Sequence, residues 1–253
     1  MAFFKDDPAL QTAKLAPTKP VPQPGGGIGA GVAKTYNRIG NLIAKAGSAA
    51  GGIETAVTLA IWYVESGGHE FTPGRAILRF ENHKFFEQWG RANAKLYDQH
   101  FQHGGRAGVE GKPWENHAWR DDPSAEFERF HGSQQKEYWV LVFAVALAAQ
   151  EKAYRAASIG GPQIMMTEFA ALGYLNAIDM YRAFQEDERW HVLGFLDFCA
   201  AKPAPQPGGL LTHMKNKDWE QVARYYNGPG QVDAYAKKFA QAYAAAVNLG
   251  LRK

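Results

Sequence analysis

The sequence predicts a mainly α fold with one very small patch of strand. Three observations carry that expectation. Apolar residues recur at helical spacing along most of the chain. One run, Thr55 to Val64, is almost wholly apolar or small, yet far short of the ~20 residues that cross a bilayer, so it reads as a buried helix. Only Ile77-Leu78-Arg79-Phe80 reads as a short strand, and it stands among helical segments.

Taken in order, residues 1–31 hold five prolines and then Gly25-Gly26-Gly27, with little apolar material to bury, so they read as an arm or linker. The glycines of residues 25–31 lack a preceding strand and a following Gly-Lys-Ser/Thr, which argues against a phosphate loop. Residues 32–253 read as one domain. Val32 to Ala46 carries Val32, Tyr36, Ile39, Leu42 and Ile43 at helical spacing, and Gly47 to Gly52 breaks it. The Thr55–Glu65 helix follows and runs out at Gly67-Gly68. Asn82 to Phe101 is expected to be helical through Phe85, Phe86, Trp89, Leu96 and Tyr97. Gln102 to Pro123 is a long Gly-, His- and Trp-rich loop, a type often functional. Ser124 is placed to cap a short helix over residues 125–130. Ser133 opens a long helix to about Ala157, apolar on nearly every side from Tyr138 to Ala149, which predicts the central core helix. Residues 158–166 break the pattern. Short helices follow from Thr167, Asn176 and Asp187, and further helices over residues 218–225 and 231–249.

Composition narrows the function classes. A hydrophobic share of 46% with 21% charged residues is ordinary for a globular chain of this size. The net charge is only +3 and no basic run exceeds two residues, so nucleic acid is not an expected partner. A mildly basic surface suits an anionic polymer such as a bacterial cell wall. Cys199 is the single cysteine, which excludes a disulfide framework; its apolar helical context predicts a buried structural thiol. The N-terminus shows no apolar core of signal-peptide length, and no segment reaches spanning length. The expectation is a protein made in the cytoplasm without a signal peptide and without membrane insertion.

Glu65 stands out because a carboxylate at the C-terminal end of a buried helix meets the negative end of the dipole and loses water. Both raise its pKa toward that of a proton donor near neutral pH. The alternative is a solvated helix-end glutamate. Three segments share one pattern, a helix end joined to a glycine turn: Glu65-Ser66-Gly67-Gly68, Gly160-Gly161-Pro162-Gln163-Ile164-Met165 and Tyr225-Tyr226-Asn227-Gly228. In order and content they resemble the lysozyme-like superfamily, where goose-type lysozymes and lytic transglycosylases carry Glu-Ser, Gly-x-x-Gln and Tyr-Asn motifs. With Gly74-Arg75-Ala76-Ile77-Leu78-Arg79-Phe80-Glu81-Asn82-His83, with Ser158, and with Asp218-Trp219 before Tyr226-Asn227-Gly228-Pro229-Gly230, the chain is similar to the N-acetylmuramidase family of phage endolysins over about residues 50–247.

The resemblance implies a lysozyme-like helical domain and cleavage of the peptidoglycan glycan strand beside N-acetylmuramic acid. It implies Glu65 as the catalytic acid. Glu81 is the candidate second carboxylate, because glycoside hydrolysis normally uses two; its other reading is a helix cap or a partner of Arg75 or Arg79. Glu70 is a weaker rival. Ser66, Ser158, Gln163, Tyr226 and Asn227 are the candidate substrate-binding residues, with Gln163 and Asn227 placed to bond acetamido groups or to fix Glu65, and Tyr226 placed to line the cleft or to pack. Two departures stand against the family pattern: Ile159 where an aromatic residue is expected, and Met166 where glycine is expected. Many such endolysins carry an N-terminal peptidoglycan-binding module, where this sequence shows the Pro/Gly arm and one helix.

No cofactor and no metal are expected. His100 and His103 lie three apart and His117 and His131 follow, but no His-Glu-x-x-His or cysteine pairing supports a metal site. Three readings follow: a hydrolytic muramidase, a lytic transglycosylase using Glu65 alone, and a non-catalytic wall-binding component of a phage-like particle. A monomer acting on the wall after release, lysis or delivery is expected, with a phage or phage-like injection particle as a partner the resemblance leaves open.

Overall fold

The computed structural model describes residues 3–68, 71–203 and 209–252. The chain forms two compact units: Met1–Thr72 with Ala171–Gly173 and Asp187–Lys253, and Pro73–Ala170 with Tyr174–Glu186.

The first unit is helical. It contains α1 (Pro8–Gln11), α2 (Gly27–Ala49) and α3 (Thr55–Ser66). The expected buried helix is α3: every residue from Thr55 to Trp62 is buried, which follows from a run with no polar face to turn outward. It packs against α2 and against the C-terminal helix introduced below. The α2–α3 contact depends on Gly31, where a Cβ would stand 2.3 Å from the Tyr63 ring. That packing carries α2 back to Gly27, earlier than the Val32 start that its glycines suggested.

The stretch read as an arm packs on this unit. Leu10 and Ala13 are buried in its core, and Arg189 donates to the Leu10 carbonyl at 3.0 Å and to the Ala13 carbonyl. The Asp197 carboxylate accepts the Phe4 and Lys5 N–H groups at 2.7 and 3.2 Å. Further along the segment, Asn37 exchanges hydrogen bonds with the Val21 backbone at 2.8 and 2.9 Å.

The second unit is mixed. Its helices are α4 (Asn82–Gln88), α5 (Ala94–His100), α6 (Gln134–Leu147), α7 (Gln150–Tyr154) and α8 (Ala177–Glu186). Its strands are β1 (Leu78–Phe80), β2 (Phe101–Gln102), β3 (Ala118–Trp119), β4 (Glu128–Arg129), β5 (Ala157–Ile159) and β6 (Ile164–Met165). They make two antiparallel three-stranded sheets, β1-β5-β6 and β2-β3-β4, with Leu78 opposite Ile159 and Ser158 opposite Met165. The first unit closes with α9 (Glu188–Ala201), α10 (Gly209–Asn216), α11 (Trp219–Asn227) and α12 (Val232–Asn248). Cys199 lies buried in α9, as its apolar neighbours predicted.

Three expectations are corrected. The helix after Ser133 is not the central core helix: Trp139 is 53% and Val142 65% exposed, and only the face of Glu137, Val140, Leu141 and Ala144 is buried. It also ends at Leu147, because Ala148 is extended, and α7 starts afresh. Ser124 caps no helix; its N–H and hydroxyl both go to Asp122 Oδ1 at 2.8 Å, a local turn that leads into β4 instead. The helix expected over residues 82–101 splits at Gly90–Ala92, where Gly90 fits under the Tyr97 and Phe86 rings.

Candidate active site

Glu65 occupies the last turn of α3. No basic residue shares that turn, and Gly67 ends the helix in the left-handed region at φ 59°. Burial pushes the Glu65 carboxyl up to about 7, against the opposing pull of Asn227 and of the Lys238 charge. Asn227 Nδ2 donates to Glu65 Oε1 at 2.8 Å from the end of α11. A carboxyl that titrates near 7 holds a transferable proton at neutral pH, and one amide donor fixes its orientation.

The neighbours of Glu65 set the rest of this region. The Tyr226 ring packs against Phe195 and Phe198 at 5.8 and 5.4 Å, and burial holds its phenol proton on. Ser66 is buried and accepts the Gly68 N–H at 3.2 Å, so its hydroxyl finishes the helix end. A cleft of about 260 Å³ opens beside the same turn, lined by Ile28, Tyr63, Val64, Gly67, Lys238 and Gln241. The helical unit thus brings Glu65, Ser66, Tyr226 and Asn227 together, with Asn227 donating to the Glu65 carboxyl.

Ser158, Gln163 and Glu81 belong to the mixed unit. Ser158 Oγ donates to Gln163 Oε1 at 3.1 Å. Gln163 Nε2 donates to the carbonyls of Gly160 and Ile77 at 2.8 and 3.3 Å. Gln163 itself sits at φ 49°, an uncommon setting for a side-chain-bearing residue. Both ends of its amide therefore brace the β5–β6 turn against β1. Ile159 and Met166, the two departures from the family pattern, are fully buried.

Glu81 follows β1, and its N–H donates to the Ala156 carbonyl at 2.8 Å. Arg79 Nε donates to Glu81 Oε1 at 2.7 Å. Glu81 Oε2 faces two imidazoles, His83 Nδ1 at 3.6 Å and His117 Nδ1 at 3.4 Å. Burial pulls His83 and His117 down to about 4 and lowers His103 as well. His100, paired with His103 in the sequence reading, turns away to the Arg120 carbonyl at 3.0 Å. The sequence reading missed His83; the signal was its spacing, two residues after Glu81 at the start of a helix. Glu70 lies outside the described residues.

The family profile described as N-acetylmuramidase matches residues 54–247. The chain belongs to the N-acetylmuramidase family. It is a peptidoglycan hydrolase of that family, with the mainly helical, lysozyme-like fold and small sheets that the resemblance implied. A solved structure, the crystal structure of a Burkholderia AP3 phage endolysin, matches with a TM-score of 0.60 at 23% identity, over 82% of this chain and 70% of that one. No curated protein sequence matches. No helix among the described residues is long and apolar enough to cross a membrane.

Proposed function

We propose that this family member cleaves the peptidoglycan glycan strand at N-acetylmuramic acid with Glu65 as the general acid. The observation that carries the reading is the Glu65 carboxyl itself: half-buried, at the negative end of α3, raised to about 7, and held by Asn227. A glycosidic oxygen leaves poorly unless it is protonated, and a positioned acid contributes ~10²–10⁴-fold. Asn227 orients the acid. Tyr226 packs beside it as an apolar wall, and Ser66 shapes the helix end. Ser158 and Gln163 hold the β5–β6 turn rather than reach for substrate.

Glu81 was the candidate second carboxylate. One of its oxygens is taken by Arg79 and the other faces two histidines. That engagement favours a second reading, a one-glutamate mechanism in which the muramyl 6-hydroxyl replaces water, as in a lytic transglycosylase. A non-catalytic wall binder is disfavoured because it has no use for a raised carboxyl. Release during lysis or delivery by a phage-like particle is the proposed route to the wall, and the match to a phage endolysin supports it.

The test is Glu65→Gln on purified sacculi, with the soluble products separated by mass. Loss of products supports Glu65 as the acid. Reducing muramic acid ends from the wild type identify the hydrolase, and anhydro-muramyl ends identify the transglycosylase. A wild-type rate in Glu65→Gln rejects the assignment.

A further inference from the structure

We propose that Glu81, His83 and His117 form a binding site for a divalent transition-metal ion, zinc above all. The site does not depend on the assignment of Glu65. Its three candidate donor atoms all lie within 4.8 Å of one another. Glu81 Oε2 lies 3.6 Å from His83 Nδ1, and His83 Nδ1 lies 3.3 Å from His117 Nε2, the ring nitrogen that would bind the ion; the other nitrogen of that ring, Nδ1, is 3.4 Å from Glu81 Oε2. Bonds of ~2.0–2.2 Å meeting at a tetrahedral angle put neighbouring donors roughly 3.3–3.5 Å apart. Small side-chain adjustments bring this set onto that spacing. Two imidazoles and one carboxylate are also a donor set that suits zinc, and the hard all-oxygen preference of magnesium or calcium argues against those ions.

The hydrogen bonds around the cluster are short of positive charge. Glu137 Oε1, His131, His117 and the Pro113 carbonyl form a line of three contacts, at 2.8, 2.8 and 3.0 Å. Each contact needs a proton between its two atoms, and two neutral rings supply only two. His83 Nδ1, at 3.3 Å from His117 Nε2, can add one there, but nothing then points at Glu81. Glu81 Oε2 is buried and has no hydrogen-bond partner. Burying an acceptor in that state costs about 1–3 kcal/mol. A cation bonded to Glu81 Oε2, His83 Nδ1 and His117 Nε2 gives the buried carboxylate oxygen its missing partner and leaves the two ring protons for the His131–Glu137 and His117–His131 contacts, while the Pro113 carbonyl gives up its contact with His117 Nε2. Arg79 stays on the other oxygen, Oε1, and leaves Oε2 as a single-atom ligand.

The surroundings have the supporting bonds that metal-binding histidines use. When His131 donates from Nδ1 to Glu137 and accepts His117 Nδ1–H, the His117 ring carries its lone pair on Nε2, beside His83 Nδ1 and the Pro113 carbonyl. Glu137 is held in turn by the Phe80 N–H at 2.8 Å. This carboxylate–imidazole–imidazole chain is an outer shell of the kind that orients ligating rings. A third histidine lies alongside: the His103 ring is 6.4 Å from those of both His83 and His117. Its Nδ1 faces the Gly104 carbonyl at 2.9 Å, so that nitrogen carries the proton, and its buried Nε2 is without a partner. A metal here would tie the start of α4 to the loop that carries His117.

The test uses the full chain, stripped with a chelator and titrated with zinc by calorimetry, and with cobalt by visible absorption. The expected result is one zinc per chain and the strong absorption of tetrahedral cobalt. His83→Gln, at a partly accessible position, is expected to weaken zinc at least tenfold, and His131→Ala to weaken it about 10–100-fold through loss of the outer shell. The melting temperature of the wild type is expected to rise with zinc, and that of His83→Gln to stay put. Absence of zinc binding by the folded chain, or binding of equal strength in His83→Gln, overturns the proposal.

Discussion

Two glutamates of this chain each sit beside a helix boundary, and their surroundings differ in kind. Glu65 ends α3 with one amide donor, no cation in its own turn, and a carboxyl raised to about 7 by burial. Glu81 precedes α4 with Arg79 on one oxygen and two imidazoles before the other. The first environment stores a proton. The second asks for positive charge. A carboxylate's role is therefore set by what its neighbours can donate, and the proposed acid is the glutamate with the poorer company.

The comparison is broken most sharply by paired substitutions. Glu65→Gln is expected to lower glycan cleavage by ~10²–10⁴-fold, the scale of a lost general acid. Glu81→Gln is expected to cost clearly less. Equal losses, read as rates on sacculi with folding checked by circular dichroism, would restore a two-carboxylate mechanism.

Deleting residues through Ala13 comes next in size. It exposes the core under Leu10 and leaves Asp197, which burial already raises to about 6, without its two N–H donors. A loss of about 2–4 kcal/mol is expected in denaturant unfolding. An unchanged midpoint would mean that the arm only rests on the helical unit.

Gln163→Ala is expected to cost about 1–3 kcal/mol, because it strands Ser158 Oγ and two carbonyls at the β5–β6 turn. Asn227→Ala, whose side chain is exposed, is expected to leave the melting temperature within a few degrees. It should move the alkaline limb of the rate profile to higher pH, since Asn227 favours the ionised form of Glu65. If Asn227→Ala unfolds the protein and Gln163→Ala only slows it, their roles are exchanged.

The smallest effect is on stability against pH. Glu65 holds its proton more tightly folded, at about 7, than the unfolded value of 4.5. Its contribution is fully present below 4.5 and is lost as pH rises through 7. Solvent near the side chain reduces this to ~1–2 kcal/mol. Glu65→Gln should remove that component, melting higher than the wild type above pH 7. Parallel pH curves for the two proteins would contradict it.

Much of this was legible in the residues. The uniform apolarity of Thr55 to Val64 marked α3 as a buried helix, and Gly67-Gly68 marked its end. Ile77 to Phe80 marked the one strand that periodicity could find. Strands β2, β3 and β4 were invisible because each is two residues long, too short for alternation to register. The apolar surround of α6 misled, since pattern alone cannot say how many sides a neighbour will cover. Gln163 and Asn227 looked alike in sequence; only the folded chain separates a turn brace from an acid's partner. The Glu81–His83–His117 cluster was hidden because His117 arrives from a distant loop.

The account rests on a Glu65 carboxyl that keeps its proton at neutral pH. The most direct measurement is the carbon-13 chemical shift of the Glu65 side-chain carboxyl followed through a pH titration, assigned by its disappearance in Glu65→Gln. The account predicts a midpoint near 7; a midpoint near the ordinary 4.5 would contradict it.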